Sequence, residues 1–221
     1  MTKNIRRATE SDADFLAWVM LTASRSHAPR GVWDLIVRDS DAARLDYLKR
    51  LALAETRSVC HYDGFLVAQS DGRPTAALCT FHPGDGGWAV VAQVMSKVQD
   101  ELGWTREDVV ASQARFAPAL ACMPREAGAD WCIEFVATIP EYRRRGLVDA
   151  LLHQAIQRGV DRGCSLAQII ILIGNDAAQA AYEKVGFVVH DESTSPEFHS
   201  PARSTLCLAC HHAQRSPRFR C

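Results

Sequence analysis

Apolar positions along the chain switch between helical and strand periods, and the switches outline its elements. In "ESDADFLAWVMLTASR" the residues Phe15, Trp18, Val19 and Thr22 fall near one face of a helix, and the acidic start suits a helix N-terminus. A second helix is expected in "SDAARLDYLKRLALAE", capped by Ser40 and supplied with apolar surface by Leu45, Leu48, Leu51 and Leu53. The period then drops to two in "GFLVAQSDGRPTAALCTF", where Asp71-Gly72 supplies a hairpin turn. Beyond "HPGDGG", Val91, Met95, Val98 and Leu102 return to helical spacing, and Thr105 caps another short helix.

The second half is plainer. "WCIEFVAT" reads as a strand, and an arginine-glycine loop leads from it into a helix with Leu147, Leu151, Ala155 and Ile156 inward and Gly163 as its stop. "AQIIILI" is a continuous apolar run, a strand buried on both faces. "NDAAQAAYEKV" is a short helix ended by Gly186, and "FVVHDE" and "STLCLAC" are closing strands after "NIRRAT" as the first. The order predicts an α/β fold: a central mixed, twisted β-sheet flanked by α-helices, with residues 82–130 as a helical insertion between strands 3 and 4. One domain over residues 1–212 is expected, with 213–221 as a frayed tail.

Composition narrows the function classes. The 25 basic and 26 acidic side chains leave a formal charge of -1, which gives no electrostatic footprint for nucleic acid. No apolar stretch approaches membrane-spanning length, and "MTKNIRRATESDADF" lacks an apolar leader, so a cytoplasmic protein is expected, with no membrane partner. Cys207 and Cys210 have CxxC spacing, but on a strand residues three apart point to opposite faces and cannot chelate one ion together. No metal site is expected.

Three arginines, Arg143, Arg144 and Arg145, stand directly before Gly146 and an amphipathic run. A helix N-terminus presents unpaired N–H groups and a positive dipole end, and a glycine lets a ligand approach the backbone, a combination that favours a pyrophosphate. A solvated basic loop is the commoner meaning of the same residues. Glu134 is the one carboxylate in an otherwise apolar strand, which suits either a base with a raised pKa or a strand-end salt bridge.

"ATIPEYRRRGLVDALL" followed by "IGNDAAQAAYEKVGF" resembles the acetyl-CoA-binding core of the GNAT acetyltransferase superfamily. The close match covers residues 131–189, with Arg143 to Val148 on the signature R/Q-x-x-G-x-G/A; Val148 stands where Gly or Ala is usual. Its branched side chain either narrows the pyrophosphate path or turns outward. The resemblance implies a GNAT-like fold and an N-acetyltransferase that moves the acetyl group of acetyl-CoA, as co-substrate and without a metal, to an amine acceptor. It implies that backbone groups of Val136 and Thr138 pair with the pantetheine arm. The N–H groups of Arg144, Arg145, Gly146, Leu147 and Val148 would hold the pyrophosphate, with the arginine side chains toward the adenosine phosphate. Asn175 would meet the pantetheine arm or an ordered water near it, and Tyr182 would protonate the departing thiolate, as suits a phenol with an ordinary pKa near 10.

His27 and His82 are alternative bases in loops, and "SRSHAPRGVWDLI" has the mixture expected of acceptor recognition. The 82–130 segment, with Trp88 and Trp104, covers the acceptor site, adds core, or supplies a homodimer surface. The alternative function from another class is a non-catalytic acyl-CoA-binding regulatory module.

Overall fold

The computed structural model describes residues 4–120, 128–193 and 205–211. The chain runs β1 (Asn4–Arg7), α1 (Ala13–Arg25), α2 (Val32–Ile36), α3 (Asp41–Ala52), β2 (Phe65–Ser70), β3 (Arg73–Phe81), α4 (Val91–Glu101) and α5 (Arg106–Leu120). It continues with β4 (Trp131–Thr138), α6 (Leu147–Asp161), β5 (Leu166–Leu172), α7 (Asp176–Lys184), β6 (Val188–Ser193) and β7 (Thr205–His211). The strands form one seven-stranded sheet in the order β1-β2-β3-β4-β5-β7-β6. Every neighbouring pair is antiparallel except β4 and β5, the only parallel pair among the described residues. The sheet is therefore mixed, as expected, and two helices lie between β3 and β4. The expected tail, residues 213–221, lies outside the described residues.

Two apolar cores cover the two faces. On one, α1, α2 and α3 bring Leu16, Met20, Trp33, Tyr47, Leu48 and Leu51 against Phe65, Val67 and Phe135. On the other, α6 brings Leu147, Leu151, Leu152 and Ala155 against Leu66, Leu78, Trp131, Ile133 and Ile169. Each fully buried aliphatic side chain contributes about 1.5–3 kcal/mol. The β2–β3 turn has φ 52° at Asp71 and φ 76° at Gly72, the left-handed pair that a two-residue hairpin of matching twist needs. Ser40 caps α3 by accepting from the Ala43 N–H at 3.2 Å.

Two expected faces shift. In α1 the buried residues are Ala13, Leu16, Ala17, Val19, Met20 and Leu21, whereas Phe15 and Trp18 are partly buried and stack on each other at 5.7 Å. The helix is wedged between the sheet and α3, so its apolar stripe is wider than one period reading shows. Leu53 falls just past the end of α3 and stays exposed. Strand β7 forms as expected, with Cys207 and Cys210 opposite Ile170 and Ala167 of β5. Among the described residues no helix is long and apolar enough to cross a membrane.

Candidate active site

The site is built on a break in β4. Trp131, Cys132 and Ile133 pair with Ala167, Gln168 and Ile169 of β5, and the described pairing ends there. On the opposite edge Cys79 faces Glu134 while Ala77 faces Ala137, so β4 carries an extra residue, a β-bulge. Phe135 has φ 53°, a conformation that costs about 1–3 kcal/mol for a residue with a side chain. Its ring is held by Phe65 at 6.3 Å, Trp33 at 6.4 Å and Trp88 at 6.1 Å. The bulge also swaps the faces of the strand. Trp131 and Ile133 lie in the α6-side core, but Phe135 and Ala137 lie in the α1-side core. Past Ile133, β4 and β5 separate, leaving a wedge between two parallel strands at their C-terminal ends.

Glu134 and Tyr182 meet at this wedge from different elements. Glu134 sits in the bulge, and Tyr182 projects from α7 into the α6-side core, its ring 6.3 Å from Phe187. Burial raises the Glu134 pKa to about 7, and a hydrogen bond from Trp88 partly offsets that rise. The residue as a whole is half-buried. Burial also pushes the Tyr182 phenol above its ordinary value, and the nearby Glu134 charge adds to the effect. No salt bridge of Glu134 occurs among the described residues, so the strand-end ion pair is not what its carboxyl makes here.

The arginine loop lies between the end of β4 and α6. Arg144 has φ 59° and Gly146 φ 69°, so the backbone turns left-handed twice within three residues. Such turns aim successive N–H groups to one side. The Ala150 N–H bonds the Gly146 carbonyl at 3.2 Å, and Leu147 and Val148 precede it in the first turn, where N–H groups lack a helical acceptor. Arg143 Nε donates to the Thr138 carbonyl at 3.4 Å, and Arg145 donates to the Glu141 carbonyl at 2.8 Å while lying over the Tyr142 ring. Two of the three arginines thus brace the loop. Val148 is partly buried against the α6-side core, so its side chain turns inward rather than outward. Thr138 Oγ1 is buried without a hydrogen-bond partner. An orphaned hydroxyl at the end of the strand that leads into this loop fits a ligand rich in acceptors, as a pyrophosphate-bearing thioester is.

Asn175 caps α7, its Oδ1 accepting from the Ala178 N–H at 3.3 Å, and its Nδ2 donates to Ser26 Oγ at 2.6 Å. The loop after α1 therefore touches the end of β5. His27 stands beside this contact, near Gly174, whereas His82 accepts from the Gly84 N–H at 2.9 Å and caps a turn. Trp104 stacks on Tyr47 at 5.8 Å in the α1-side core. Sequence reasoning missed the bulge at Phe135, the Trp88 contact to Glu134, and Ser26. None has a local signal: each depends on a neighbour many residues away.

The profile of the Acetyltransferase (GNAT) family matches residues 30–187. The chain belongs to that family and is an acetyltransferase. Its fold is similar to that of a crystallised acetyltransferase at TM-score 0.66 and 16% identity, covering 94% of this chain and 98% of that one. An N-acetyltransferase from Staphylococcus aureus Mu50 is similar at TM-score 0.61 and 18% identity, covering 93% and 99%. The ribosomal-protein-S18-alanine N-acetyltransferase from Escherichia coli gives TM-score 0.52 and 14% identity over 100% of both chains.

Proposed function

We propose that this chain transfers the acetyl group of acetyl-CoA directly to an amine acceptor, with Glu134 as base and Tyr182 as acid. The separation of β4 from β5 past Ile133 carries the reading, because it leaves a strand edge, a carboxyl and a phenol at one opening. Acetyl-CoA, when bound, supplies a thioester activated for acyl transfer. Backbone groups of Val136 and Thr138 hold the amides of its pantetheine arm as an added strand would be held. The N–H groups of Arg144, Arg145, Gly146, Leu147 and Val148 hold the pyrophosphate, and the side chains of Arg143, Arg144 and Arg145 add positive field toward the adenosine phosphate. Asn175 keeps one amide hydrogen and one lone pair beyond its two bonds here, enough to meet the arm as well.

Glu134 takes the proton that the acceptor nitrogen loses, a task suited to a carboxylate whose pKa lies near neutrality. The Val136 N–H steadies the negative charge that gathers on the acyl oxygen. Tyr182 keeps its phenolic proton until a sulfur leaves, and its raised pKa ensures that the proton is present at neutral pH. We place the protein in the cytoplasm, where thiols such as those of Cys60, Cys79 and Cys164 stay reduced.

Calorimetry with acetyl-CoA, alongside thiol release across a panel of small amines and peptide N-termini, tests the reading. Binding with acceptor-dependent release is expected. Binding without release from any amine would turn the protein into a non-catalytic acyl-CoA module, and no binding would overturn both.

A further inference from the structure

The loop that follows α1 reaches the turn after β5. Ser26 and Asn175 are 149 residues apart in sequence, yet their side chains bond at 2.6 Å. Ser26 has φ 53°, a left-handed conformation unusual for serine, so the contact is made in a backbone state that serine alone would not favour. A second close approach lies beside it: a Cβ built on Gly174 would come within 3.3 Å of His27 Nε2. Ser26 Oγ also lies 3.3 Å from His27 Nδ1, so the three side chains form a chain from α7 into the loop. At its other end the loop is tied by the Gly31 N–H to Asp34 Oδ2 at 2.8 Å. Residues 26–30 are therefore held against β5 by the Asn175 contact and held to α2 by Asp34.

Asn175 has two amide hydrogens and two acceptor lone pairs, and the α7 cap and Ser26 take one of each. The side chain thus has one hand on the loop and one left for the cleft. We propose that Ser26 is a positioning residue that couples occupancy of the cofactor cleft to the order of loop 26–30. Filling the cleft fixes the Asn175 amide, the fixed amide fixes Ser26, and the loop that faces the acceptor is set before the acceptor arrives. The inference rests on the cofactor reading above, because it needs a ligand on the cleft side of Asn175.

Amide hydrogen exchange with acetyl-CoA as the probe tests it, on the full chain and on Ser26→Gly and Ser26→Ala. Glycine relieves the positive φ while removing the hydroxyl, so it separates the hydrogen bond from backbone strain and guards against a variant that does not fold. In the wild type, acetyl-CoA is expected to slow exchange both at residues 143–148 and at residues 26–30, the latter about fivefold, the worth of one hydrogen bond. In both variants protection at 143–148 is expected to persist while protection at 26–30 is lost, with acetyl-CoA affinity changed less than threefold. Equal protection of 26–30 in wild type and variants, or none in the wild type, would overturn the coupling. If acetyl-CoA protected neither segment, the cofactor reading would fall and the coupling with it.

Discussion

The two faces of the sheet are built by different means. The α6 side, where Trp131, Tyr182 and Phe187 stand among aliphatic residues, is shaped by backbone: a left-handed glycine, a helix N-terminus and a helix packed directly on the strands. The α1 side is held by long-range side-chain contacts. There Arg25 bonds Asp34 and Asp41 together, Arg44 joins the same two aspartates, and Trp33, Phe65 and Trp88 surround Phe135. Asp34, nearly buried between Arg25 and Arg44, is held below the ordinary carboxylate range even though its burial opposes that. We assign the two faces to the two tasks of the proposed reaction: backbone geometry to a cofactor of fixed chemistry, and side chains to the acceptor.

The largest effects are expected where the two faces meet. Tyr182→Phe keeps the ring that packs on Phe187 but removes the proton held for the departing sulfur. Turnover is expected to fall by about 10²-fold or more under chemistry-limited conditions, with acetyl-CoA affinity unchanged. Single-turnover acyl transfer measures it, and full turnover in the variant would remove Tyr182 from the acid role.

Glu134→Gln comes next and has two readouts of opposite sense. With its pKa raised to about 7, the carboxyl of the wild type becomes a base only as pH rises through neutrality, so kcat/KM is expected to climb there and the variant to lose that limb. Stability moves the other way. The folded value lies above the ordinary 4.5, so below pH 4.5 both states are protonated and the group costs nothing. The cost grows between 4.5 and about 7 and is complete above, where the gap corresponds to about 3 kcal/mol. Chemical denaturation is therefore expected to find the glutamine variant more stable at pH 8 and equal to wild type at pH 4. A wild type whose stability ignores this window would mean that the carboxyl is solvated.

Gly159→Ala probes the α6 face alone. A Cβ there would meet the Trp131 ring at 2.8 Å, in a region where the same indole donates to the Ala155 carbonyl at 2.9 Å. Overpacking of this kind costs about 1–3 kcal/mol. A lowered melting temperature with normal acetyl-CoA affinity is expected. An unchanged melting temperature would mean that α6 slides freely on β4.

How much of this was legible in the sequence follows the same division. Gly146, the helix behind it and the strand before it all lie within residues 131–161, so their pattern appears in one stretch, and the position of Tyr182 came with the resemblance that the stretch carries. Glu134 stood out as a lone carboxylate in an apolar strand. The bulge beside it was hidden, because a two-residue period says nothing about which partner loses register. The α1 face was misread for a related reason: its apolar stripe is set by α3 and the sheet together. The segments that hold Ser26 and Trp88 stood out, but their contacts to Asn175 and Glu134 carry no local signal, since each partner is brought near only by the fold.

The smallest expected effect bears on the feature most conspicuous in the sequence. If backbone geometry rather than charge makes the phosphate cradle, the three arginines are not equivalent to the glycine that follows them. Arg144 is exposed, and Arg143 and Arg145 spend donors on the Thr138 and Glu141 carbonyls. Arg144→Ala is expected to weaken acetyl-CoA binding only a few-fold, and less at high salt, as exposed charges do. Gly146→Ala, forced into φ 69°, strains the loop by about 1 kcal/mol and moves its N–H groups, so it is expected to weaken binding more, with little salt dependence. Calorimetric titrations at two ionic strengths compare them. A larger loss in the arginine variant would reverse the assignment and make the cofactor face, like the acceptor face, a matter of side chains.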